Sequence, residues 1–419
     1  MPARWLPLLY FAFAHACLAA AFATAALEPR RLAGFFYHPR LVAVVHLVTL
    51  GWVSASILGS LYVVGPLALR LPLAARRMDY VAFVAFAVGV LGMVSHFWID
   101  RLSGMAWAGG LVALAILAVA LRVVRALPRA AVPREIKLHV GLALLNAVLA
   151  AVVGILLGIH KVAPFLPLPQ LGGVLGHAHL AAVGFGVMMV MGAGYRMLPM
   201  MLPAAMPRGA WVYGSAILTE AGALGLLAAF PFDPRLVPLF AVTAALGILA
   251  FLGRVGWMFR NPRPAPRELL RPDWGVAHSL ASFVWLGVAL GLGLALAFAA
   301  PSEWTLQTAM AYGVFGLVGF LAQIVVGVES RLLPLFAWLR GFADAGFEQT
   351  PPSLHAAPVR GLQALGFLLW ASGVPLLAAG LGLDRLALLV VGAAALLIAV
   401  IVGALNGALV LHRLGRVRG

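Results

Sequence analysis

Cysteine occurs once in 419 residues, at Cys17. A single thiol excludes an intrachain disulfide, a Cys-pair redox motif and a Cys-rich zinc site, and its place in an apolar run makes it a small buried residue. Charge is scarce as well: 10% of residues are charged against 63% hydrophobic, with a mean hydropathy of +1.04. A chain of this composition cannot dissolve as a globular domain and reads as a polytopic membrane protein. Acidic residues are the scarcer charges, 13 against 29 Lys and Arg, for a net charge of +16. In a soluble protein that balance would suggest nucleic acid. Here 22 of the 29 basic residues fall in alternate loops, which is the signature of membrane topology and sets both termini in the cytoplasm. A Gly-rich phosphate loop, a Ser-His-Asp constellation and a His-Glu-x-x-His zinc motif are all missing. The loops are too short to hold a fused cytochrome or copper domain.

What is present is a set of apolar runs of spanning length, near 5–27, 41–66, 80–98, 104–121, 138–159, 172–195, 210–230, 236–258, 276–299, 305–328, 361–381 and 386–410. About twelve transmembrane helices in an all-α fold follow, within one transmembrane domain over 1–419. The first run also has the form of a signal peptide, with Arg4, an apolar core and Ala23-Thr24-Ala25-Ala26. Its length, and the repeat described next, place it as the first span.

The pattern His46, Gly51-Trp52, Gly59, Tyr62, Pro66 recurs as His179, Gly184-Phe185, Gly192, Tyr195, Pro199, every pair 133 positions apart. A third copy, Gly319-Phe320, Gly327 and Pro334, follows 135 positions later, with Val314 where His179 stood and Tyr312 where His177 stood. The unit is four helices, so the chain divides into three pseudo-symmetric repeats over about 1–125, 134–260 and 272–412. The repeated glycines fit close helix approach or room for a flat ligand, and close approach is the simpler reading.

Histidines inside membrane spans are costly unless they are bound or hydrogen-bonded. His46, His177 and His179 lie one to two turns below the outer surface, and His96 and His160 lie at a similar level. Residues two apart on a helix project about 200° from each other, so His177 and His179 address different sites. The trio is the candidate cofactor site, with His177 facing a second metal or gas site, and with His96 and His160 as further metal ligands or interfacial residues. Imidazole alone does not choose among haem iron, copper and zinc. Glu220, in the middle of the seventh span, is a candidate catalytic proton carrier or a carboxyl hydrogen-bonded within the bundle. Met188, Met189, Met191, Met197, Met200, Met201 and Met206 form a Cu(I) path or fill the core.

The stretch Gly176-His177-Ala178-His179, Gly184-Phe185, Met191-Gly192, Tyr195 and Pro199 resembles the haem-binding helix of the haem-copper oxidase superfamily, subunit I, in its C-type and nitric oxide reductase branches. The resemblance implies twelve helices in pseudo-threefold arrangement and at least one haem b, with His46 and His179 as its axial ligands. It further implies copper or a second haem at His177, reduction or binding of O2 or NO in respiratory electron transport, and a membrane-anchored cytochrome c or other electron donor. A bacterial inner membrane is the implied location. The chain departs from that family in two respects. Its His-x-His pair is on the sixth span and not the tenth, and Trp211 to Phe230 contains no copper-binding histidine. His46-Leu47, Thr49, Gly51 and Gly59 also resemble the NnrS family, haem and copper proteins of the nitric oxide response. A copper-handling membrane transporter is the reading from another class.

Overall fold

The computed structural model describes residues 5–264, 271–344, 346, 353 and 357–415. Among them the regular structure is helical, and twelve helices are long and apolar enough to cross a membrane. They are α1 (Leu6–Leu27), α2 (Pro39–Leu67), α3 (Arg77–Trp98), α4 (Leu102–Arg129), α5 (Arg134–Val162), α6 (Gln170–Met201), α7 (Ala210–Phe232), α8 (Pro234–Arg260), α9 (Trp274–Phe298), α10 (Glu303–Ala343), α11 (Arg360–Gly382) and α12 (Leu386–Leu414). The protein is an all-α polytopic membrane protein whose helices meet the lipid bilayer.

Each third of the chain makes the same neighbours. Within each third, consecutive helices pack pairwise as an arc, and the arcs join α4 to α5, α8 to α9 and α12 to α1. The motif helices α2, α6 and α10 line the inside of this closed ring. A Cβ at Gly59 would stand 2.7 Å from Tyr10 Cβ, one at Gly192 2.7 Å from His139 Cβ, and one at Gly327 2.6 Å from Ser279 Oγ. Those three partners lie on α1, α5 and α9. The repeated glycines therefore serve close helix packing, the contact by which membrane helices associate when lipid is as apolar as the helix surface. Cys17 is buried against Gly51 in the same way.

Each motif helix changes pitch at the same place. Leu47–Ser54, Leu180–Val187 and Val314–Ala322 are π-helical, the first two starting directly after His46 and His179. A π segment widens the helix and releases backbone groups from the regular ladder, which is why such segments gather at functional sites. Polar side chains bond carbonyls of these segments. Ser54 Oγ donates to Thr49 O (2.8 Å), Asn146 Nδ2 to Gly184 O (2.9 Å) and Trp52 Nε1 to Ala322 O (3.1 Å). Away from the histidines, Arg196 Nε donates to Ala68 O (2.9 Å) and ties α6 to the end of α2, while Asp79 pairs with Arg122 and Asp273 with Arg331.

One boundary differs clearly from the sequence expectation. The tenth span does not stop near residue 328 but runs 41 residues to Ala343, because Ala337 and Trp338 pack on Val410 and Leu414 at the end of α12. The helix thus carries past Arg331, and Glu348, Pro351, Pro352 and His355 further on lie outside the described residues. Pro66, Pro199 and Pro334 all fall inside helices.

Candidate functional site

His46 is the last α-helical residue before the π segment of α2. Its Nδ1–H donates to Val42 O (2.7 Å). A carbonyl can only accept, so the proton is on Nδ1 and Nε2 keeps its lone pair, the arrangement that orients an imidazole for metal binding. The ring stacks on Phe97 of α3 at 5.1 Å and 30°. His179 is built alike, donating from Nδ1 to Leu175 O (2.8 Å). Its Nε2, however, accepts from the Tyr312 hydroxyl of α10 at 3.2 Å, and its ring lies between Phe230 (5.0 Å) and Tyr312 (6.0 Å).

The imidazole within electrostatic range of His46 is His177. It rests on α5, where a Cβ built at Gly154 would stand 3.0 Å from its Cε1, and close to the Ala150 carbonyl. Its Nδ1 is nevertheless buried without a hydrogen-bond partner. An unpaired buried ring nitrogen costs free energy unless something fills its place. His179 thus turns to Tyr312, and His177 lies near enough to His46 for the two rings to interact electrostatically. The physical reason is the ring of arcs. The two sides of α6 face different neighbours, so residues about 200° apart on it meet different helices, His177 meeting α5 and His179 meeting α7 and α10.

The same rule orders all three repeats. By position, His46 and His177 correspond across motif helices as His179 and Tyr312 do, and the latter couple is in contact. By position the third couple is Val314 with Val44, which offers no ligand. Helix α10 packs along its π segment against both α2 and α6, whereas among the described residues α2 and α6 do not pack closely on each other. The His46/His177 space is thus the one of the three that combines two imidazoles with separated helices.

The other predicted residues are placed elsewhere. His96 donates from Nδ1 to Arg101 O (2.7 Å), and its ring lies over Gly104 and beside Trp107, tying α3 to α4. His160 accepts at Nδ1 from the backbone N–H of Phe165 (2.9 Å) and Leu166 (3.0 Å). A neutral His160 then carries its proton on Nε2 and has no lone pair left for a metal. Among the described residues no three His, Cys, Asp or Glu side chains gather into a metal-holding group. His139 is bonded on both nitrogens, to Glu135 O and Ser215 Oγ, and His278 meets Gln323. Glu220 Oε2 accepts from Asn146 Nδ2 (2.7 Å), the amide that also holds the π-segment carbonyl of Gly184, so this carboxyl is part of the α5–α6–α7 packing.

The structure adds residues that sequence reasoning missed. Gly154 makes the room for His177, and Tyr37, Lys161 and Gln170 stand above the histidines. Gln170 Nε2 donates to Tyr37 OH (3.2 Å), and these two residues are again 133 positions apart, so extending the repeat backwards would have found them. At the opposite depth, an apolar cavity of about 100 Å³ lies among α2, α6 and α10, with Ser56, Met189 and Ile324 at equivalent positions in its wall.

Neither a protein-family model nor a curated protein sequence matches this chain.

Proposed function

We propose that this is a haem-binding integral membrane protein in which His46 and His177 hold one b-type haem between α2 and α6 for electron transfer. The observation that carries the reading is the pair itself. His46 presents a tautomer-locked Nε2, and His177, in range of it, has a buried nitrogen without a partner. The donor set fits iron in a tetrapyrrole: two neutral imidazoles, a gap between helices and an apolar surround.

A haem held by these two residues would supply one-electron chemistry. The chain's own part is to orient and exclude. The Val42 carbonyl sets the His46 ring, Phe97 covers one of its faces, and Gly154 leaves the His177 ring its place. His179 commits its free nitrogen to Tyr312 and not to a second iron, so one haem per chain is proposed. The arrangement is closest in kind to a divergent haem-copper-oxidase-like or NnrS-like protein. The distribution of basic residues favours a bacterial inner membrane, with the histidine end outside, both termini inside, and an electron donor such as a membrane-anchored cytochrome c approaching from outside. Met189, Met197 and Met201 line the cavity at the other depth, which gives the copper-handling reading its one support.

A reduced-minus-oxidised absorption spectrum of the purified protein, with iron and copper analysis, tests this. The expected result is a low-spin haem spectrum that His46→Ala and His177→Ala each abolish and His179→Ala retains. Copper without haem would transfer the case to metal handling. Loss of the haem in His179→Ala, with His177→Ala intact, would favour the pairing of His46 with His179 instead.

A further inference from the structure

The third repeat, which lacks the histidines, builds a basic pocket at the other end of the bundle. The pocket has a volume of about 50 Å³ and lies among the start of α9, the later part of α10 and the start of α11, with Asp273, Trp274, Arg331, Arg360 and Gln363 in its walls. Arg331 stands roughly 40 Å of helical rise past Glu303, the first residue of α10, which is the depth of a whole bilayer with its headgroups. The pocket is therefore at headgroup level on the face opposite the histidines, the cytoplasmic face in the orientation proposed above. Its walls are held from several sides. Asp273 caps α9 by accepting from the N–H of Gly275 (3.1 Å) and of Val276 (3.2 Å), and it pairs with Arg331, so its charge is already engaged. Arg360 donates from Nη2 to Arg271 O (2.9 Å). The approach to α11 is tied to α12, where Asn406 Oδ1 accepts from Val359 N–H (2.8 Å) and Arg413 Nη1 donates to Ala357 O (2.8 Å). Arg331 Nε is buried, and among the described residues it has no hydrogen-bond partner; nor does any described carboxylate pair with Arg360. A buried donor left unpaired costs free energy unless something fills its place. This is not a feature copied through the repeats. Arg196, the equivalent of Arg331 in the second, donates instead to Ala68 O, and Val63 holds the place in the first.

We propose that this pocket binds a phosphate group, presented by an anionic phospholipid headgroup or by a soluble phosphate. The assignment stands apart from the haem reading. Guanidinium groups match phosphate geometry, and here Arg331 from α10 and Arg360 from α11 offer N–H donors from two helices, with the Gln363 amide one turn further along α11. A carboxylate has two oxygens for these donors, whereas a phosphate group has three or four. A single water needs about 10–15 Å³ of such space, so the pocket has room for a group larger than one water. Basic pockets between transmembrane helices on the cytoplasmic side suit anionic headgroups, because the cations stand at the level where the lipid carries its phosphate. One anion here joins α10 to α11 and gives Arg331 Nε its acceptor.

The test uses lipid-depleted protein in neutral detergent, followed by native mass spectrometry and by thermal unfolding. Phosphatidylglycerol, phosphatidylcholine or inorganic phosphate is added at constant ionic strength. The wild type is expected to retain one phosphatidylglycerol at least about tenfold more tightly than phosphatidylcholine, whose choline cation opposes the guanidiniums, or to be stabilised by inorganic phosphate where equal chloride has no effect. The first result names the lipid as the source of the phosphate and the second the soluble anion. Arg360→Gln should weaken that binding about five- to tenfold, and Gln363→Glu, which sets an acid in the wall, should weaken it as much; Arg360→Lys should retain more of it than Arg360→Gln. Arg40→Gln removes the same charge from the exposed start of α2 at the opposite face and should leave the binding unchanged. Equal retention of the two lipids with no response to phosphate overturns the site. So does a loss in Arg40→Gln as large as in Arg360→Gln, which marks attraction to the overall charge and not to this pocket. Haem content plays no part in either result, so failure here leaves the haem reading standing.

Discussion

Gly154 offers the sharpest perturbation of the site, because it is a change on α5 that touches neither imidazole chemically. A Cβ at this position would stand 3.0 Å from His177 Cε1, 3.5 Å from Nε2 and 3.6 Å from Nδ1. Carbon atoms rest at about 3.5–4.0 Å, so alanine would push the ring by about half an ångström or more. An axial metal bond tolerates about 0.2 Å. Gly154→Ala should therefore weaken the His177 bond, and Gly154→Val, with two further methyl groups, should break it. Overpacking of this kind costs about 1–3 kcal/mol, or roughly five- to hundredfold in occupancy of the bound form. The assay is the ratio of low-spin to high-spin ferric haem, by optical and electron paramagnetic resonance spectra, at equal protein expression. The control is Gly110→Ala, where a Cβ would meet nothing within 4 Å and a helical glycine gains stability on substitution. A fully low-spin haem in Gly154→Val, at wild-type stoichiometry, would refute the placement of His177.

Tyr312→Phe removes the hydroxyl that donates to His179 and leaves a buried ring nitrogen unsatisfied; a loss of about 1–3 kcal/mol should appear as a lower unfolding temperature in detergent, with haem content unchanged. Glu220→Gln should preserve haem content, since the acceptor for Asn146 survives as an amide oxygen; a fall in proton-coupled turnover would give the carboxyl a role beyond packing, and full turnover would leave it the packing role alone. Single cysteines at Arg129 and Asn261 in a Cys17→Ala background should react with impermeant maleimide only after the inner face is opened. Labelling of intact cells at either position would reverse the orientation and put the histidines on the cytoplasmic side.

The span count and the three recurring glycine-aromatic motifs were legible in the sequence, because hydropathy and spacing are properties of the chain taken a few turns at a time. So was the 200° divergence of His177 and His179, which follows from helix geometry alone. Which neighbour each of them meets was not legible. That depends on how the three arcs close into a ring, and a helical wheel has no knowledge of what lies on either side of it. The π segments were hidden for a related reason: they rest on captured carbonyls, Gly184 by Asn146 and Ala322 by Trp52, whose partners are 38 and 270 residues away. The extension of α10 to Ala343 depends on the far end of α12, and the role of Gly154 on an imidazole 23 positions downstream. The sequence by itself determined a membrane bundle with two histidine-bearing repeats and one without. Tertiary structure alone decided that His179 meets Tyr312 and that His177 seats against Gly154, because the pairing of side chains across helices is a property of the assembled ring and not of any helix within it.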